Sequence, residues 1–512
     1  MLIPSSGIVG NSFNENAGAY LGVELEMPVA DQFSGASRPV TQYFAALAQQ
    51  KYARQLTITP VTLRGKVVAI QTELADCGLD NGFNLLETAL APVASEAGGL
   101  LYLADRLHQE LEDTLIALRT DQLTVLNVAQ HPYASRNAQC YQWLCVPRPI
   151  YKELVDYRGW RHDVGIDAKA QNGANTAMPV NQLIAAVNAG LAIVAPVSIA
   201  LFANSPLEDG QPTPFLENRL TLWERTCAAT RFPGDIKLHS YPKRPFTSLA
   251  DYFMWMFGEG TVARSITLDS KDYKSATPYY LEGQPSLLAF LNASSWKAHH
   301  AITGEAVEVQ PETRFFVEAQ VEMLLDARIR YRLEHMPELA TLVAAWSQPQ
   351  GLERLFEDHG MCAYIEGRAA GANFADASLL RLAGPAVAAS VLAAPSALQL
   401  GLYRQLEALE PLIKQWGWSA LGQLRQRAVR YGIDDENVYR LCQQAVAIAK
   451  QGLAPQERGL LAYVDYVLER RQCGAHRLLH SWQATPGASI AGRLAHIVEH
   501  HTALLPSTYL DA

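Results

Sequence analysis

Ten residues near the start of the chain, YLGVELEMPV at 20–29, do most to restrict the fold. Apolar and acidic side chains alternate there with the two-residue period of a strand, which puts Glu24 and Glu26 on one face. Carboxylates on an otherwise apolar strand must meet solvent or a cation, because burying them alone is costly. A half-exposed strand edge alternates in the same way. The pattern therefore fixes the shared face and leaves its partner open.

The rest of the chain mixes both periods. Helical spacing covers about 39–54. LTITPVTL and KVVAIQTEL flank Arg64-Gly65 and read as a hairpin, DCGLDNG reads as a loop, and FNLLETAL as a further strand. Helical spacing returns over 93–119 and 176–203, and Asn204-Ser205-Pro206 with LEDGQPTP marks a polar loop. Residues 312–332 are rich in strand formers, and from about 396 the pattern is nearly all helical. This mixture predicts an α+β protein with a body over 1–395 and a helical C-terminal region over 396–512.

Charge and cysteine usage narrow the partners. Lys plus Arg is 42 and Asp plus Glu is 51, a net charge of -9. That is the wrong sign for holding phosphate backbones, so no nucleic acid is expected. Cysteines 77, 140, 145, 227, 362, 442 and 473 form no CxxC pair, which suits reduced thiols in the cytoplasm, with Cys140 and Cys145 near enough in sequence to pair. The N-terminus lacks a basic region followed by an apolar one, so no signal peptide is expected. The apolar stretch 185–203 is broken by Asn188 and Pro196 and reads as a buried helix rather than a membrane span. Neither GxxxxGK[ST] nor GxGxxG occurs.

Several residues carry candidate chemistry. Paired acids on a strand suit hard divalent cations, which take oxygen ligands and offset the repulsion between the acids. Asp80 and Glu87 would add two more if their strand ran beside the first. Asp80-Asn81-Gly82 is equally ordinary turn chemistry, whereas Glu87 interrupts an apolar run and needs a partner if buried. His162 reads as a neutral metal ligand or as a satisfied core histidine. His496-Ile-Val-Glu499-His500 matches the H-x-x-E-H zinc-protease pattern, but a catalytic zinc needs a third protein ligand and only twelve residues follow His500. A histidine-rich exposed tail is the plainer reading there.

Taken in order, these motifs resemble the glutamate-cysteine ligase family. The resemblance rests on GVELE, on D-x6-E followed by an apolar run to Pro92, and on a short H-x-x-G strand at His162. Further on come Ala-Asn-Ser-Pro at 203–206, N-R-x3-W at Asn218, Arg219 and Trp223, and the pair Asp251-Tyr252. The segment from Thr313 to Arg328 is similar to T-x-F-x-E-V-R followed by E-x-R, and GLAPQERGLLAYVDYVLERRQCGAHRLLHSW to the helical tail. The chain departs in having Gln320 in place of an arginine and Asp326 in place of a glutamate. A second register would make Glu318 the late acid.

The resemblance implies a glutamine-synthetase-like fold, a curved antiparallel sheet forming a funnel surrounded by helices. It implies ATP and Mg²⁺ or Mn²⁺ as cofactors. Glu24, Glu26, Asp80, Glu87, His162 and Asp326 would be metal ligands, with Arg219 and Arg328 addressing phosphate or glutamate carboxylates and Arg231 a looser candidate. The implied reaction is ATP-dependent joining of the γ-carboxylate of L-glutamate to the amine of L-cysteine, the first step of glutathione synthesis. The alternatives are a ligase of the same mechanism using another amine and a non-catalytic binding relative. The implied partners are small-molecule substrates, with no membrane and a monomer or homodimer.

Overall fold

The computed structural model describes residues 20–96, 98–134, 136–268, 276–485 and 487–511. The stretch on which the signal-peptide expectation rests, residues 1–18, lies outside the described residues. Strand β1 (Tyr20–Asp31) is the spine of a ten-stranded sheet. Beside it in chain order come β2 (Thr59–Leu63), β3 (Lys66–Gln71), β4 (Ala75–Leu79), β5 (Leu85–Leu90), β6 (Asn172–Ala177), β7 (Ala327–Leu333) and β8 (Met361–Gly367). In space their order is β7-β8-β6-β1-β5-β4-β3-β2, with every neighbour antiparallel. Short strands Val93–Ala94 and Leu123–Val125 also pair with β1.

The period of β1 decides which side of the sheet is greasy. Leu21, Val23, Leu25, Met27 and Val29 are each at most 2% exposed and join one core with Leu100, Leu103, Leu107 and Leu111 of the helix Gly99–Leu118. The opposite face carries Glu24 and Glu26. Residues paired across antiparallel strands share a face. Glu87 of β5 lies opposite Glu26, and Gly173 of β6 lies opposite Glu24. Asn175 of β6 lies opposite Glu366 of β8, which in turn faces Arg328 of β7. One side of the sheet thus carries acids on β1 and β5, and Arg328 of β7 facing Glu366 of β8.

The expected α+β class is what the structure shows: a large antiparallel sheet, helices against it and a helical C-terminal region. The elements from Ala377 onward are all helical among the described residues. They meet the sheet through the helix Ala394–Tyr403, where Gln399 Nε2 donates to Ala174 O at 2.8 Å and Thr176 Oγ1 at 3.0 Å. The Arg64-Gly65 hairpin forms with φ of 49° and 77°, the left-handed pair that a tight hairpin turn requires. Val180–Phe202 is long and apolar enough to cross a membrane, but 83% of its most apolar window is buried inside the protein, as a core helix would be. All seven cysteines are free.

Local readings differ in four places. Residues 21–30 are buried on both faces, so β1 is no solvent-facing edge. The DCGL of the expected loop is strand β4, held between β3 and β5 despite poor strand formers; a Cβ on Gly78 would come within 3.1 Å of the Ala69 Cβ. His162 to Val164 is a 3-10 turn rather than a strand, closed by Gly165 at φ 103°. The segment 312–332 splits into the helix Thr313–Glu318, a 3-10 turn and β7, because Phe315 and Phe316 gain more from core burial than from strand propensity.

Candidate active site

The charged face of the sheet lines a cavity of about 150 Å³. On its acidic side stand Glu24, Glu26, Glu87, Asp80 and His162. On its basic side stand Arg328, Arg368, Lys169 and Arg148. The strand period delivers Glu24, Glu26 and Glu87, each between 5% and 7% exposed. Asp80 follows β4 in a turn, where Asn81 Nδ2 donates to its Oδ2 at 2.8 Å. Arg148 and Tyr151 hold that turn by donating to the Asp80 backbone oxygen.

Burial dominates the electrostatics of the acidic side. It pushes the Glu26 carboxyl up to about 7; Lys169 pulls the other way, while the neighbouring Asp80 raises it further. Burial likewise holds His162 down to about 4, so its ring is neutral at physiological pH, as a metal ligand must be. Tyr141 Oη lies 3.4 Å from its Nδ1, and its Nε2 is buried with no hydrogen-bond partner among the described residues. Carboxylates and a neutral imidazole with an unused nitrogen are the donor types that a divalent cation such as Mg²⁺ or Mn²⁺ takes, although among the described residues only His496, Glu499 and His500 bring three such ligand atoms within 4.8 Å of one another.

The basic side is already organised. Glu366 accepts from Arg328 Nε at 2.9 Å and Nη2 at 2.8 Å, and from Arg368 Nη1 at 2.7 Å, with Arg330 Nε at 3.6 Å. Burial would raise the Glu366 carboxyl, but the three arginines hold it well below the usual range. One carboxylate among three guanidinium groups leaves net positive charge against the cavity. Arg368 Nε is buried without a partner among the described residues. Lys169, 3% exposed, has its pKa lowered by burial, with Glu26 and Asp80 opposing the fall.

The structure brings Glu24, Glu26, Asp80, Glu87, His162 and Arg328 together in this cavity, and places the other expected residues elsewhere. Asp326 is paired with Arg425, whose Nη2 is 2.9 Å from Oδ1. Glu318 pairs with Arg314. Arg219 is 1% exposed and sits behind the site, donating to Glu217 Oε1 at 2.8 Å and to Ala369 O at 3.0 Å. Arg231 donates to the Asp156 backbone oxygen at 2.8 Å, away from the cavity lining. Lys169, Glu366 and Arg368 escaped the sequence reading. The last two have the E-x-R spacing sought at 318–328, in the alternating end of YIEGR. His496, Glu499 and His500 lie within 4.8 Å of one another on the helix Ile490–His501 and line neither this cavity nor its neighbour.

Residues 21–241 match the model of the glutamate-cysteine ligase family 2 (GCS2). That span contains the acidic wall, His162, Lys169 and Arg219. Among solved structures, a glutamate-cysteine ligase from Francisella tularensis in complex with AMP is similar at 12% identity and a TM-score of 0.46, over 94% of this chain and 88% of that one. A bifunctional glutathione synthetase from Pasteurella multocida is similar at 10% identity and a TM-score of 0.41, over 97% of this chain and 52% of that one. No curated protein matches. The family match supports a carboxylate-amine ligase, and over residues 21–241 the chain carries the pattern of the glutamate-cysteine ligase family 2, as its motifs imply.

Proposed function

We propose that the protein is an ATP-dependent γ-glutamyl ligase, with L-glutamate as donor and L-cysteine as the acceptor its family resemblance implies. One observation carries the reading: a single cavity has an acidic wall suited to a divalent cation and, facing it, a basic wall with an unsatisfied buried donor on Arg368.

Glu24, Glu26, Asp80, Glu87 and His162 would hold the metal. Bound there, a divalent cation would supply positive charge to offset that of the phosphate oxygens during phosphoryl transfer. Arg368, clamped by Glu366 through Nη1, would offer its Nε–H to an oxygen of a carboxylate or phosphoryl group, and Arg328, whose guanidinium is bound to Glu366 and to the Met323 backbone oxygen, would add fixed positive charge beside it. Lys169 adds a compact positive charge on the same side. The γ-carboxylate oxygen of glutamate bonds to the γ-phosphorus as the β,γ-bridging bond breaks, releasing ADP. The acceptor amine then bonds to the acyl carbon, phosphate departs and one proton is released. Arginines fixed before the substrate arrives need no reorganisation during the reaction, which makes positioning and electrostatics the main contributors to rate.

A second reading keeps this mechanism and exchanges cysteine for another amine; it is favoured by a larger apolar cavity adjoining the site. The test is ADP release from Mg-ATP and L-glutamate, with and without acceptors, together with mass spectrometry of the products. Glutamate- and acceptor-dependent turnover giving a γ-glutamyl amide is expected. ATP left intact with every acceptor would overturn the ligase reading in favour of a binding protein.

A further inference from the structure

Arg148, Tyr151, Trp160 and His162 form a wall between the charged cavity and a second one of about 530 Å³. Its other walls include Ala138, Val146, Val155, Pro278 and Ile302. Ile302 is 66% exposed, in the turn between the strands Trp296–His300 and Ala306–Val309. A bulky apolar side chain held in water at the edge of an apolar cavity gains from a ligand that covers it. The charged groups around the cavity are mostly engaged with each other: Arg161 with Asp163 at 2.8 Å and Lys152 with Asp156 at 3.8 Å.

Acyl transfer requires the acceptor amine to stand within about 3–3.5 Å of the activated carbon. An acceptor whose amine reaches the charged cavity past the shared wall has its own side chain in the second cavity. A cysteine side chain is one methylene and a thiol, and covers less of this apolar lining than a bulky side chain does. Val146, Val155, Pro278 and Ile302 offer hydrocarbon to an apolar side chain, while Gln142 and Arg64 on the same lining make a nucleotide base the competing occupant that the test separates. We infer that the acceptor is an amine or amino acid bearing a bulky apolar side chain, aromatic or branched aliphatic, which the second cavity encloses. This rests on the ligase mechanism above, in its second form, where another amine takes the place of cysteine.

The test uses the full chain with Mg-ATP and L-glutamate and compares kcat/KM for phenylalanine, leucine and phenethylamine with that for glycine, alanine and cysteine. The bulky apolar acceptors are expected to lead by about 10-fold or more, the discrimination that a few added methylenes bring in an apolar pocket. Equal or better turnover with cysteine or alanine overturns the inference and leaves the ligase reading standing. No turnover with any acceptor brings down the ligase reading, and the inference with it. Ala138→Trp, at an exposed position, and Val155→Trp each place an indole in the cavity, with thermal unfolding as the check on folding. Both are expected to cut the preference for bulky acceptors by about 10-fold. A raised KM for ATP with an unchanged acceptor preference would assign the cavity to the nucleotide base and overturn the inference.

Discussion

The two walls of the charged cavity are built from one sheet face and handle charge in opposite ways. On the acidic wall, burial forces Glu26 up to about 7, and His162 Nε2 has no partner among the described residues, which leaves this wall with groups open to a ligand. On the basic wall, Glu366 ties Arg328 and Arg368 down within 2.7–2.9 Å, so the guanidinium groups are held by the fold and Arg368 Nε alone is left as a buried donor without a partner among the described residues. The lesson is that one site holds charges awaiting a ligand beside charges pinned by the fold. Mutations on the two sides are expected to separate activity from stability.

The largest effect is expected from Glu366→Ala. It strands three buried guanidinium groups against one another, and losing one member of a buried ion pair costs about 3–5 kcal/mol. Denaturant unfolding is expected to report that loss together with an abolished ligase rate. An unchanged stability would mean the arginines are not pinned by this carboxylate. Glu26→Gln is the contrasting change. The amide still accepts the hydrogen bond from the Gln171 backbone N–H, now at 3.1 Å, while the charge is removed. ADP release is expected to fall about 10²–10³-fold, the scale seen when one electrostatic group is taken from a transition-state site, with stability held or raised because a crowded acid is gone. Near-normal turnover would remove Glu26 from the metal-holding set.

Much of the acidic wall was legible in the sequence, because its signals are local. The period of β1 alone aligns Glu24 with Glu26, and Glu87 betrays itself by interrupting an apolar run. The basic wall was not, because its residues meet through pairing between distant strands. Arg328 and Glu366 are 38 residues apart and face each other only in the β7–β8 register. Lys169 lies between a 3-10 turn and β6, with no periodicity to mark it. The double-sided burial of β1 was also hidden, since alternation in sequence does not tell solvent from a charged cavity.

Asp326 sharpens the comparison from outside the cavity. Its expected place among the metal ligands rests on resemblance, yet its carboxylate meets Arg425, 99 residues on, from the helix Trp418–Tyr431. Asp326→Asn is expected to lower stability by about 1–2 kcal/mol, between the values for exposed and buried ion pairs, and to leave kcat within a few-fold. A collapse of activity at unchanged stability would return Asp326 to the metal.

The smallest effect separates burial itself from cavity chemistry, and His131 is its probe. Burial holds this ring down to about 4, the same value as His162, but both of its nitrogens are engaged. The Tyr133 backbone N–H donates to Nδ1 at 3.1 Å, so Nδ1 is the acceptor and Nε2 donates to Gly35 O at 2.9 Å. Protonating Nδ1 would break the first bond. A folded value below the unfolded 6.5 means that the unfolded chain binds the extra proton first. Stability contributed by the neutral ring is therefore complete above about pH 6.5 and falls as pH drops toward 4. At pH 5.5 the loss is about 1 kcal/mol by that linkage. Denaturant unfolding at pH 7.5 and 5.5 is expected to show a loss about 1 kcal/mol larger in the wild-type protein than in His131→Gln, which keeps the share contributed by His162. An equal slope in both would place the acid sensitivity of the fold elsewhere and leave burial alone unable to account for a neutral histidine in this protein.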